Sequence, residues 1–185
     1  CGRFMSLPTG NASVAVGQEC QSTGSAYCFS GGWRSTATNT NTFSYGAQNV
    51  CGGEDCAIVG GFGNSITSAG RFNLATGSSN TISGERNFIC GTSNTISGDY
   101  NLASGQSNSV SGDYNLCGGI ENDCAGGRTL VGGRENTIAT GTNNSIIAGY
   151  RCDILAGSGG SIVCGNECEP SGENSLCVGN FCSVT

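Results

Sequence analysis

From Asn73 to Asn143 the chain reads NLATGSS, NTISGER, NFICGTS, NTISGDY, NLASGQS, NSVSGDY, NLCGGIE, NDCAGGR, TLVGGRE, NTIATGTN. Nine units of seven residues follow one another without a gap, and the tenth has eight. Each opens on Asn or Thr, holds an apolar residue inside, and carries Gly at its fifth place until the last. Two unit types alternate, which makes a 14-residue period. One starts at Asn73, Asn87, Asn101, Asn115 and Thr129, the other at Asn80, Asn94, Asn108, Asn122 and Asn136. Such a fixed period marks a repeat architecture, in which each unit buries its apolar side only against its neighbours.

The pattern loosens outward without disappearing. Eight-residue units begin at Asn144, Cys152 and Gly160, and the theme runs back through Asn49 to two 14-residue stretches at Ala12 and Ala26. Residues 1–10 stand outside as an N-terminal extension, and residues 11–185 read as a single β-solenoid domain. Each unit reads as a strand of three or four residues and a tight turn. Gly is expected where φ is positive, with Asn tolerating the same region. The fold class is therefore all-β, a parallel β-solenoid or β-roll of 14-residue (7+7) coils with strands about 4.8 Å apart. Disorder is rejected, because a disordered Gly/Ser/Asn segment would not keep its apolar residues in register.

The two strand types predict different outer faces. In the NTISG type, Ile82, Ile96, Val110, Cys124 and Ile138 point inward. Hydroxyl pairs Thr81/Ser83, Thr95/Ser97 and Ser109/Ser111 point outward, interrupted at Asp123 and Ala125. In the NLASG type neighbouring apolar residues face opposite sides, so Leu74, Phe88, Leu102, Leu116 and Leu130 form an outer apolar stripe. Such a stripe predicts self-association along the long axis. At the turns Arg86, Tyr100, Tyr114 and Arg128 line up as a candidate binding ridge, Tyr and Arg being enriched in hot spots. The plainer reading of that column is a solvated edge with weak salt bridges.

Composition narrows the function. Among 185 residues there are 33 Gly, 13 Cys and no His, and all seven basic residues are Arg. Without His or Lys there is no imidazole base, P-loop lysine or Schiff base, and no carboxylate pair is placed to converge in a cleft. We expect no enzyme and no cofactor. A net charge of −6 argues against nucleic acid, and no apolar run is long enough for a membrane span. No Cys spacing matches a zinc pattern, so no metal is expected. Cys90, Cys117, Cys124, Cys164 and Cys177 fall at or near apolar strand positions and read as small core residues. Cys152, Cys168 and Cys182 open units as Asn does elsewhere, so that stacking brings them within reach of a bridge. The disulfide candidates are Cys152, Cys168, Cys177 and Cys182, with Cys1 free or intermolecular. The Cys usage points to an extracellular setting, on a cell or virion surface.

ASVAVG at Ala12–Gly17, with repeated N-[ST]-[IV]-x-x-G and S-x-x-x-G steps, resembles YadA-type head repeats of trimeric autotransporter adhesins. The resemblance covers most of the chain from about Asn11. It implies a left-handed roll, three chains packed side by side as a homotrimer, and adhesion to matrix or host surface without cofactor. Three functions follow in order. The first is a structural fibre subunit, stacked end to end and cross-linked by cysteines, because NSLCVGNFCSVT is still repeat-like at the end of the chain. The second is an adhesin or fibre-tip head for a surface glycan or matrix ligand. The third is an ice-binding solenoid that uses the hydroxyl pairs.

Overall fold

Inward-facing residues two apart on each short strand, and a turn after every strand, wind the chain into coils. The computed structural model describes residue 9, residues 11–170 and residues 172–184. It shows an all-β parallel solenoid of about twelve turns of 14 residues. Cys1 and most of the N-terminal extension lie outside the described residues. The chain forms two compact units, one through Ser93 and one from Asn94.

In the first unit, one sheet stacks Val14–Gln18, Phe29–Trp33, Phe43–Ala47, Ala57–Phe62, Leu74–Ala75 and Phe88–Ile89 in parallel. The opposite sheet stacks Gln21–Ser22, Thr36–Ala37, Val50–Cys51, Ser65–Ile66 and Thr81–Ile82. The second unit repeats the plan. Its longer strands run from Leu102–Gln106 through Leu116–Ile120, Leu130–Arg134, Ile146–Tyr150 and Ile162–Asn166 to Leu176–Asn180. Its short strands run from Thr95–Ile96 through Ser109–Val110, Asp123–Cys124 and Thr137–Ile138 to Asp153–Ile154. The core between the sheets is one residue deep from each side. Ala75 and Ile82 share one coil, Ala103 and Val110 another, and Val131 and Ile138 a third, all fully buried or nearly so.

The left-handed region is taken by Asn144 (φ 58) and Asn174 (φ 54) but not by the opening asparagines from Asn73 to Asn136. The asparagines from Asn73 to Asn136 are buried instead, and stack from coil to coil. Asn108 Nδ2 donates to Asn94 Oδ1 at 3.0 Å, and Asn94 Oδ1 also accepts the Asn108 backbone N–H at 2.9 Å. Asn122 on Asn108 and Asn136 on Asn122 repeat the arrangement. Each amide also reaches two carbonyls, which for Asn108 are Ser104 and Gly119. In the first unit Asn64 and Asn80 stack the same way, Asn64 upon Asn49. These amides close the corners, where the ladder would otherwise leave buried polar groups unpaired.

Further left-handed corner positions belong to other side chains, among them Ser107 (φ 56), Tyr114 (φ 61) and Glu121 (φ 56). Glycine is required for a second reason besides positive φ. At Gly112 a Cβ would run into the Gly126 carbonyl of the next coil, whereas at Gly132 nothing lies within 4 Å.

Asn108→Ala should lower the unfolding free energy by about 3–4 kcal/mol, since it strands several buried donors and acceptors at once. Gly112→Ala should prevent stable folding, while Gly132→Ala should be neutral or add about 0.5 kcal/mol. Thermal and urea unfolding of the three variants, followed by circular dichroism, checks the ranking.

Candidate functional site

Alternation along the short strands turns outward the residues that flank each buried one. In the first unit the outward positions are Gln21/Thr23, Thr36/Thr38, Val50, Ser65/Thr67 and Thr81/Ser83, with Gly52 buried beside Val50. Thr36 pairs with Val50, Val50 with Ser65, and Ser65 with Thr81. Thr67 departs from the row, because its hydroxyl is turned in and buried without a partner. In the second unit Thr95 pairs with Ser109 and Ser109 with Asp123. The hydroxyl pairs Thr95/Ser97 and Ser109/Ser111 thus end against Asp123/Ala125, as their spacing predicted. Rows on this face lie about 4.8 Å apart and the two residues of a pair about 6.7 Å apart. From Thr36 to Ser83 in one unit and from Thr95 to Ser111 in the other, the outward positions carry hydroxyls and methyls and no charge, with a gap in the hydroxyls at Val50. Thr36, Thr38, Ser65 and Thr67 escaped the sequence reading because the upstream units depart from strict sevens. Counting back 14 to 16 residues per coil from Thr81 would have found Ser65 and Thr36.

The opposite sheet presents large apolar side chains. Leu74 and Phe88 in the first unit are each 36% exposed, and Leu102, Leu116 and Leu130 in the second are 39%, 45% and 43% exposed. The column extends beyond the residues named from sequence, to Phe29 and Phe43 in one unit and Ile146, Ile162 and Leu176 in the other. Phe29 and Phe43 stack at 5.0 Å between ring centroids. This face is uneven, because bulky rings and leucines alternate with Gly and Ser.

The turn column is engaged within the molecule. Tyr100 and Tyr114 stack at 4.8 Å and within 7° of parallel. The Arg128 guanidinium sits 5.7 Å from the Tyr114 ring centre, so both faces of that ring are covered. Arg86 lies 5.3 Å over Phe72 and pairs with Glu85 at 3.1 Å. Such stacks use the flat ring surfaces that a saccharide would need.

Of the candidate disulfide residues, Cys177 and Cys182 are bonded, with Cα atoms 5.9 Å apart. Cys152 and Cys168 are free and buried. They stand in the asparagine column and act as its members. The Cys152 thiol points at the Gly165 carbonyl (3.5 Å) and the Cys168 thiol at that of Gly179 (3.1 Å). Asn136 reaches Gly149 in the same way. Burial raises the Cys152 thiol above its ordinary range. Cys117 and Cys124 are core residues of one coil. The hydrogen bond with Cys117, followed by burial, pushes the Cys124 thiol up as well. Cys90 and Cys164 are only half-buried, since they belong to the outward set of the long strands and not to the core. No group of three or more metal-ligating residues occurs among the described residues.

A family model described as the grass antifreeze β roll matches residues 22–131, more than half of the chain. The chain belongs to that family. No curated protein matches it. The match overturns the resemblance to YadA-type head repeats. Inward Asn, inward Ile or Val and a close-approach Gly serve the packing of a tight 14-residue coil, so an N-[ST]-[IV]-x-x-G step does not distinguish the two. The match spans both stretches of hydroxyl pairs, Thr36 to Ser83 in one unit and Thr95 to Ser111 in the other.

Tyr114→Ala, which removes a ring stacked on two sides, should cost about 1 kcal/mol of stability. Equilibrium urea unfolding measures it.

Proposed function

We propose that the chain binds ice through the outer face of its short strands. The family match carries this reading, and the register of the hydroxyl face supports it. Ordered water is held by a surface whose polar groups repeat on a lattice and whose methyl groups fill the spaces between them. Thr offers both groups, and the parallel ladder fixes their spacing in both directions. The opposite face is uneven, aromatic and aliphatic, with few groups that could hydrogen-bond to a crystal plane. Charged Asp123 and Asp153 set a limit to the grid in the second unit. Ice binding thus moves ahead of the fibre subunit and the binding head, which ranked above it on sequence.

Thermal hysteresis and inhibition of ice recrystallisation test the reading. The purified chain should show both, and absence of both overturns it. Thr38→Tyr, Thr81→Tyr and Ser109→Tyr should each remove most of the activity while the protein stays folded. Leu116→Lys on the opposite face should leave it intact. The reverse pattern would move ice to the apolar face.

The exposed apolar column supports a second reading, lateral self-association through Leu102, Leu116, Leu130 and their neighbours. Sedimentation velocity should show an oligomer that Leu116→Asp with Leu130→Asp dissociates. A wild-type monomer at all concentrations would remove this reading.

A further inference from the structure

Each coil is built from two similar halves, so a side-chain arrangement seen at one corner has a counterpart at the other. The bonded pair Cys177 and Cys182 joins an inward strand residue to the column position that closes the next corner, five residues on. Between them, Gly179 follows two places after the first cysteine. Phe181, in the left-handed region at φ 53, immediately precedes the second.

Cys51 and Cys56 repeat the spacing and the inward and column positions of that pair, though not its bond, at the other corner of a coil in the first unit. Cys51 is the inward residue of Val50–Cys51 and Cys56 closes the corner that leads into Ala57–Phe62. Gly53 follows two places after Cys51, and Asp55 at φ 54 precedes Cys56. Both cysteines are buried, at 0% and 3% exposure. Both thiols are free in the structure, and the Cys56 sulfur sits at the corner, 3.5 Å from the Gly70 carbonyl of the next coil and accepting the Asn73 backbone N–H at 3.3 Å. It lies 3.1 Å from the Glu54 carbonyl and would stand 2.8 Å from a Cβ on Gly53. Position 53 is closed to a side chain first by the Gly70 carbonyl of the next coil and then by this sulfur.

We infer that Cys51 and Cys56 form a disulfide in the mature protein, a second corner staple equivalent to Cys177–Cys182. The reaction is thiol–disulfide exchange with a low-molecular-weight disulfide such as oxidised glutathione. The thiolate of one cysteine attacks a sulfur of that oxidant and expels one thiolate. The second cysteine then attacks the mixed disulfide and expels the other. The protein loses two electrons and two protons, and the oxidant gains them as two thiols.

Timing follows from burial. Desolvation, with the neighbouring Cys56 adding to it, pushes the Cys51 thiol up to about 12. Burial raises Cys56 as well. The nucleophilic thiolate is therefore almost absent once the coil has closed, and the bond forms during folding. The staple lies beneath Val50 and Gly52, between the outward pairs Thr36/Thr38 and Ser65/Thr67. It holds that corner rigid whether or not the face above it binds ice.

The test is peptide mapping of the full wild-type chain refolded with a glutathione redox couple. Free thiols are blocked with N-ethylmaleimide in denaturant, without reductant, before digestion. The peptide carrying Cys51 and Cys56 should be recovered unblocked and two hydrogens lighter than the dithiol. Recovery with maleimide on both cysteines, while Cys177–Cys182 is bridged, overturns the proposal. Linkage of either residue to Cys28, Cys90 or any other cysteine overturns it equally. A second measurement treats the native protein with dithiothreitol, with and without denaturant. The bond should persist in the first case and break in the second.

Discussion

A buried column of asparagine amides holds the coils in register. A coil only 14 residues around must turn sharply at each corner, and each corner leaves backbone N–H and C=O groups inside, away from water. In the second unit, Asn108 accepts from Asn122 and donates to Asn94, and it also reaches a carbonyl of its own coil and one of the next. One amide therefore satisfies groups on three successive coils. The aliphatic core could not do this, because Ala103 and Val110 supply little apolar area per coil and no directionality. Burial supplies the driving force, and the amides specify how the coils stack.

The remaining features follow from that constraint. Fixing each coil on the last keeps the short strands parallel and in register, and so places outward residues on a grid. The grid is useful for recognising a crystalline surface only if it stays flat and uncharged. The hydroxyl stretches carry no charge until Asp123. Where Asn gives way in the column, its substitutes are small and keep a donor: Ser35 reaches the Gly46 carbonyl, and Cys20 that of Gly32. Many of the cysteines, which look like a disulfide framework in composition, are thus column or core residues. Only where a column cysteine meets an inward cysteine five residues away does the geometry favour a bridge.

Much of the fold was legible because a solenoid is a local pattern repeated. The 14-residue period, the two strand types and their inward and outward sets can be read from Asn73 to Asn143 alone. The hydroxyl pairs from Thr81 to Ser111 and the apolar column from Leu74 to Leu130 emerge from alternation. The upstream rows at Thr36 and Ser65 were hidden because coils of 15 and 16 residues shift the count. The family was misread for a related reason: the short motif expresses the geometry of the coil more than descent.

The sequence by itself determined the period, the strands and the chemical character of each outer face, since each depends on residues within one coil. Only the tertiary structure decided what the repeated Asn, Gly and Cys do there. An asparagine becomes a column amide, a glycine a point of close approach and a cysteine a column donor through atoms 11 to 16 residues away on the next coil. No local pattern records how closely that next coil will lie.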